Sequence, residues 1–299
     1  MPDTQRRLGV HTSIAGGIHL SIKRAQELGC NTIQIFSHNP RQWITGIIPE
    51  DSVSLFKYLR NFHDINPVFI HTSYLINLAS VEDRIREKSK ELLIRELELA
   101  DLLDGDYVVL HTGSASGDAE GTARKRAIMA LREVSKVKEW KAKLLLENTA
   151  GERGDISSTM QDLREIIERT DSPIIGGICL DTCHAFQAGY ELTTVEGLSC
   201  LSKEVKMYIG VERVKLIHLN DSKRVFYSRV DRHEHIGEGA IGKRWLERLI
   251  NHAIFRNTPM ILETPKKRNE DDIKNLDTVR KIMGTLHTGG QGSDRTYMI

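Results

Sequence analysis

Histidines and carboxylates recur in this 299-residue chain at one kind of place, the end of a short apolar run. Leu8–Val10 is followed by His11, Thr32–Phe36 by Ser37 and His38, Val68–Ile70 by His71, and Tyr107–Leu110 by His111. Leu144–Leu146 leads into Glu147 and Asn148, and Ile178–Leu180 into Asp181, with His184 three residues on. Val214–Leu219 carries His218 and leads to Asn220 and Asp221, with Asp231 and His233 in the loop it feeds; Met260–Leu262 ends on Glu263. From the third run onward this makes five imidazoles and four carboxylates: His71, His111, Glu147, Asp181, His184, His218, Asp231, His233 and Glu263. Taken one at a time, each could simply cap a turn. Packed together, unpaired carboxylates would each cost several kcal/mol, so something cationic must hold them. A mixed nitrogen and oxygen set suits Zn²⁺, with Mn²⁺ or Fe as substitutes. Nine ligands exceed the needs of one ion and, with a bridging carboxylate, suit three. Three divalent ions outweigh four carboxylates and a bridging hydroxide, so the cluster keeps a positive charge that attracts phosphate. Two ions about 3.5–4 Å apart also generate hydroxide near neutral pH and stabilise both oxygens of an in-line displacement. That is phosphoester chemistry.

Such a set needs strand ends that converge. The eight runs alternate with segments of helical spacing, as in Glu91–Leu103, where Leu92/Leu93, Glu96/Leu97, Ala100 and Leu103 recur at steps of three and four. Gly29 and Pro173 punctuate the ends of two such segments. Strands alternating with helices predict a parallel sheet, and eight short units fit an α/β TIM (β/α)₈ barrel of a single domain better than an open sheet. The expected division is a barrel over 1–283 and a disordered tail over 284–299. The segment SIAGG at 13–17 reads as an ordinary turn before a helix, although its N–H groups could face a phosphate.

Composition narrows the function classes. Net charge is +1, so no global basic field points to nucleic acid, and any polyanion site must be local. Arg41, Lys223, Arg224, Arg229, Arg232, Lys266, Lys267 and Arg268 all follow strand ends, interleaved with Trp43, Tyr74, Phe226 and Tyr227, which supplies such a local footprint. No apolar run reaches the length of a membrane span, and the start of the chain lacks the apolar core of a signal peptide. The four cysteines form no CxxC pair, which suits a reducing compartment; Cys183, among ligand-like residues, reads as a buried structural thiol. The expectation is a cytoplasmic monomer with no obligate protein partner.

The chain resembles the endonuclease IV family of apurinic/apyrimidinic endonucleases. The segments that carry the likeness are GVHTSIAGG (9–17), NPRQW (39–43), HTSYLINLAS (71–80), HTGS (111–114), LLENTAG (145–151), LDTCHAFQAGY (180–190), HLNDSK (218–223), DRHEHIGEGAIG (231–242) and LETP (262–265), in order over nearly the whole chain. The resemblance implies a TIM barrel with three zinc ions that cleaves duplex DNA 5′ to an abasic site. The products would be a 3′-hydroxyl and a 5′-deoxyribose phosphate, as base excision repair requires, with 3′-end cleaning as a further activity. It implies that His71, His111 and Glu147 bind one zinc, and that Glu147 bridges to a second completed by Asp181, His218 and Glu263. His184, Asp231 and His233 would hold the third. Glu147 and Glu263 would be the catalytic carboxylates, and Arg41 and Tyr74 would enter the DNA where the abasic nucleotide is extruded. HTG at 111–113 stands where the family often has His-Pro-Gly.

Two other readings compete. Sugar isomerases and epimerases share this barrel and bind one or two divalent ions, so the fold alone does not discriminate. The His184/Asp231/His233 set and the Arg41 and Tyr74 loops, which a small sugar does not need, speak against them. A non-catalytic zinc or DNA-binding module would have a closed, thiolate-rich site instead.

Overall fold

The computed structural model describes residues 6–115, 117–268 and 270–284. The tail expected over 284–299 lies, apart from Gly284, outside the described residues. Strands β1 (Leu8–Val10), β2 (Ile33–Phe36), β3 (Val68–His71), β4 (Tyr107–Leu110), β5 (Lys143–Glu147), β6 (Ile175–Asp181) and β7 (Val214–His218) appear in chain order. A small antiparallel ladder, β8 (Asp221–Ser222) with β9 (His233–Glu234), follows, and then β10 (Met260–Leu262). The sheet order is β1-β10-β7-β6-β5-β4-β3-β2, with every neighbour parallel. Its two ends meet through a parallel bridge between His11 and Gln34, and the Thr12 N–H donates to the Gln34 carbonyl at 2.8 Å. This is the barrel the alternation predicts. Gly9 makes the closure possible, because a Cβ there would lie 1.9 Å from the Thr32 carbonyl oxygen.

Helices α1 (Leu20–Glu27), α2 (Glu50–Phe62), α3 (Asp83–Leu102), α4 (Glu120–Ser135), α5 (Met160–Thr170), α6 (Thr182–Ala188), α7 (Val195–Glu204), α8 (Lys243–Ile250) and α9 (Glu270–Gly284) fill the crossovers. Local signals set several ends. Thr159 caps α5 in a reciprocal box with Asp162, and Gly29 takes a φ of +65° just beyond α1. Among the described residues no helix is long and apolar enough to cross a membrane.

The two-residue period of a strand sorts the wall into two faces. Ile35, Ile70, Val108, Leu110, Leu146 and Leu180 face the helices in the large core. Phe69, Val109, Leu145, Cys179, Leu216 and Ile261 form a separate apolar cluster inside the barrel. One step of two residues further along each of those six strands stands His71, His111, Glu147, Asp181, His218 or Glu263. The apolar plug is therefore the floor on which the polar site rests, at the C-terminal face where βα loops carry chemistry.

Candidate metal centre

Each of the nine residues singled out in the sequence lies in one of three groups that could hold a metal ion. The groups are His71/His111/Glu147, Glu147/Asp181/His218/Glu263 and His184/Asp231/His233, and within each the donor atoms lie within 4.8 Å of one another. Glu147 belongs to two of them. Its Oε2 is 2.9 Å from His111 Nε2 and 3.3 Å from His71 Nε2, while Oε1 is 2.8 Å from His218 Nδ1. His218 Nδ1 also lies 3.3 Å from Glu263 and 3.9 Å from Asp181. Asp231 stands between His184 Nε2 at 3.2 Å and His233 Nε2 at 3.4 Å.

Neighbouring groups fix the aim of these donors. His71 Nδ1 donates to the Thr72 carbonyl, His184 Nδ1 to that of Asn148 and His233 Nδ1 to that of Glu263, at 2.8, 2.9 and 3.0 Å. In each ring the lone pair is thereby left on Nε2, facing the carboxylates. Asp181 caps α6 through the His184 N–H at 2.8 Å and accepts the Asn220 amide at 2.6 Å. Asn220 in turn receives the Glu263 N–H at 2.9 Å.

Electrostatics show what the cluster calls for. Burial would raise the carboxyls of Glu147 and Glu263, yet the charges of His218 and the surrounding histidines hold both well below the usual carboxylate range. Burial would lower His184 and His218, yet nearby acids raise both; His71 is raised likewise by Glu147. The carboxylates thus demand positive charge at this spot, from protons on the imidazoles or from a cation. The buried Nε2 atoms of His184 and His233 have no hydrogen-bond partner, although each points at Asp231. An imidazole nitrogen and a carboxylate oxygen facing each other with no hydrogen bond between them are what a cation would join, so the donor set fits a metal. Cys179 and Cys183 also lie close, but burial pushes both thiols up and makes them poor ligands. Cys183 is a free buried thiol, as the sequence suggested.

The sequence matches the family of xylose isomerase-like TIM barrels over residues 22–283. It is 40% identical over 276 residues to a probable endonuclease 4 of Halothermothrix orenii, an alignment covering 92% of this chain and 99% of that protein. The chain belongs to the endonuclease IV family. Endonuclease IV from Thermus thermophilus has the same fold, with a TM-score of 0.82 at 35% identity over 93% of this chain and 99% of that one. A D-tagatose 3-epimerase-like protein matches with a TM-score of 0.72 at 22% identity, covering 94% of this chain and 98% of that one. That likeness speaks for the fold alone.

In this endonuclease IV family member the centre lies in a cleft of about 460 Å³ lined by His11, Phe36, Tyr74, Arg232, Pro265 and Lys266 besides the ligand-type residues. Tyr74 is 68% exposed, with its ring 5.3 Å from Phe36, so it is not packed beneath its loop. Partial burial and the charges of Glu263 and Asp231 raise its phenol, against the pull of Arg41. Arg41, Lys223, Arg224, Arg229, Arg232, Lys266, Lys267 and Arg268 are all exposed, as are Phe226 and Tyr227; Trp43 is half-buried. Of the strand-end residues, His38 does not join the centre: it is buried against α3, 4.0 Å from Glu96. Two further residues of the region stand outside the nine. Gln34 is fully buried inside the barrel and touches Glu263, His218 and His11. The one trace it leaves is a polar residue two places before Phe36 in an apolar run. Asp221 accepts the N–H groups of Ser222, Gly237, Gly239, Ile241 and Gly242, and so ties down the Gly-rich turn after the third group.

Proposed function

We propose that this chain is a zinc-dependent DNA-repair endonuclease that hydrolyses the phosphodiester bond 5′ to abasic sites in duplex DNA. The products are a 3′-hydroxyl and a 5′-deoxyribose phosphate. The observation that carries the reading is the convergence of nine His, Asp and Glu side chains into three groups, two of which share Glu147, at the floor of an open cleft with a basic, aromatic rim. Family membership supports the same activity.

In this reading His71, His111 and Glu147 hold one zinc ion, Glu147, Asp181, His218 and Glu263 a second, and His184, Asp231 and His233 a third. Bound there, the ions supply a hydroxide nucleophile near neutral pH and stabilise the charge of an in-line displacement. The chain's own contribution is orientation. Backbone carbonyls hold three of the imidazoles, Asn220 aligns Asp181 with the backbone of Glu263, and the apolar plug keeps water from the floor. Arg41 and Tyr74 enter the helix beside the extruded nucleotide, an event cheapest where a base is already missing. Lys223, Arg224, Arg229 and Arg232 contact phosphates and set the register. Removal of blocked 3′ ends is the same displacement, with the 3′-oxygen again leaving and a different substituent on the phosphate, and we assign it as a secondary activity.

The test is a duplex carrying a single abasic site, incubated with the purified protein, with product ends analysed and metal counted by elemental analysis. Cleavage 5′ to the site with close to three zinc ions per chain is expected. Epimerisation of ketohexoses without strand cleavage, or one ion or fewer after reconstitution, would overturn the reading.

A further inference from the structure

We propose that Gln34 is a positioning residue of the metal centre, whose amide decides which nitrogen His218 presents to the cation and how the Glu263 carboxylate is turned. The inference rests on the metal reading above and goes beyond its ligand set to a residue that is not a ligand.

Gln34 lies on β2, on the far side of β1 from β10 and β7, and its side chain crosses the barrel interior. Its Nε2 donates to Glu263 Oε1 at 2.6 Å and lies 3.1 Å from His11 Nδ1; its Oε1 lies 2.7 Å from His218 Nε2. An ionised carboxylate only accepts, so the amide nitrogen must face Glu263 and the amide oxygen must face His218. An amide oxygen also only accepts, so His218 must carry its proton on Nε2. The lone pair of the neutral ring is then on Nδ1. That atom has three carboxylate oxygens around it, from Glu147 at 2.8 Å, Glu263 at 3.3 Å and Asp181 at 3.9 Å. Four electron-rich atoms around one point define the second metal group.

The other rings reach the same end differently. His71, His184 and His233 are set by backbone carbonyls and present Nε2. His218 is the inverted one of these four, and a single side chain imposes the inversion. The Gln34 nitrogen also turns His11 into an acceptor, which leaves the buried His11 Nε2 as the protonated atom with no partner. Nothing in this network requires Gln34 to touch substrate.

The test compares the wild type with Gln34→Met, which keeps length and volume but removes both polar contacts. Zinc release to a competing chelator, melting temperature and imidazole ¹⁵N spectra are read on both. In the zinc-loaded wild type, the His218 ring is expected to be bound through Nδ1 with Nε2 protonated, and His71, His184 and His233 the reverse. In Gln34→Met one zinc ion of the three is expected to be held about 10–100-fold more weakly, the usual effect of removing such an outer partner, with the other two unchanged. A lowered melting temperature with all zinc held as before would make Gln34 a packing residue and overturn the proposal. So would a His218 bound through Nε2 in the wild type, a result that needs no variant to fold. A wild type that takes up no zinc in the same titration would overturn the metal reading along with it, whereas full zinc uptake with unaltered release from Gln34→Met would overturn the role of Gln34 alone.

Discussion

Glu96→Gln should stabilise the protein, and increasingly so as pH rises. Glu96 sits on α3, fully buried in a row otherwise filled by Leu92, Leu93, Leu97 and Ala100. Its Oε1 accepts the Ser73 N–H at 2.8 Å, its Oε2 has no partner, and the nearest basic atom is His38 Nδ1 at 4.0 Å. Burial lowers His38 itself, and for Glu96 burial outweighs the Ser73 N–H and the more distant charge of His71, pushing its carboxyl from its ordinary 4.5 up to about 8. Between those values the unfolded chain has released the proton and the folded chain keeps it. Stability is then lost at about 1.4 kcal/mol per pH unit as pH rises, on the order of 3–5 kcal/mol by neutral pH. Glutamine keeps the acceptor for Ser73 and has no proton to lose. Urea midpoints of the two proteins, taken at steps from pH 5 to pH 9, cancel the other titrating groups in the difference. Near pH 5 the two should agree within about 1 kcal/mol, the scale of one altered buried hydrogen bond. At pH 8 the variant should be well ahead. Parallel curves would mean that Glu96 is ionised in the folded state and paired with His38.

Four further outcomes are expected. Glu263→Gln should leave the circular dichroism spectrum intact and lower kcat on abasic duplex by at least about 100-fold, because a neutral side chain changes the charge that the ions feel; unchanged turnover would remove Glu263 from the centre. Tyr74→Ala combined with Arg41→Ala should weaken binding to abasic duplex by a few kcal/mol, the scale of unstacking, while cleavage of a small activated phosphodiester survives; equal loss on both substrates would assign the pair a structural role. Zinc affinity should fall as pH drops from 8 to 6, because His71, His184 and His218 are raised in the metal-free centre and protons then compete with the ion; a flat chelator-competition profile over that range contradicts this. Asp221→Ala strips a buried acceptor from five backbone N–H groups and should cost more than about 3 kcal/mol in urea unfolding; a loss below about 1 kcal/mol would mean that the turn is held by other contacts.

Much of this architecture could be read from residue order, for a physical reason. Buried parallel strands are apolar runs, and a run that turns polar at one end marks the barrel's mouth, so His71, His111, Glu147, Asp181, His218 and Glu263 announced themselves. The errors follow from the same rule. Apolar reading stopped one residue short of β3, β5 and β6, whose last residues are His71, Glu147 and Asp181, and ran one too far past His218. It began β6 at Ile178, although the strand starts at Ile175 and passes through Gly176 and Gly177. A Cβ at Gly177 would lie 2.1 Å from the Arg213 carbonyl oxygen, so this glycine marks a close approach inside the sheet. The β8–β9 ladder is too short to leave a period. Glu96 and Gln34 stayed hidden because a lone polar residue in an apolar pattern looks like noise until its partners, distant in sequence, are known.

The wall of this barrel is not equally strong all the way round. β4 and β5 are in register over four residue pairs, whereas β1 and β2 share, among the described residues, the His11–Gln34 bridge. A join with so few backbone bonds opens before the rest, because resistance to opening follows the local density of buried contacts. His11 and Gln34 stand on the two lips of that join, and both lie against the Glu263 carboxylate. A cation held by Glu263 and His218, as proposed above, would be a clasp across the seam, tying β10 and β7 through Gln34 to β2. Amide exchange around Gln34 would then report the loading of the centre from the outside of the barrel, and a chelator would unzip the wall along one line while leaving β4 and β5 closed.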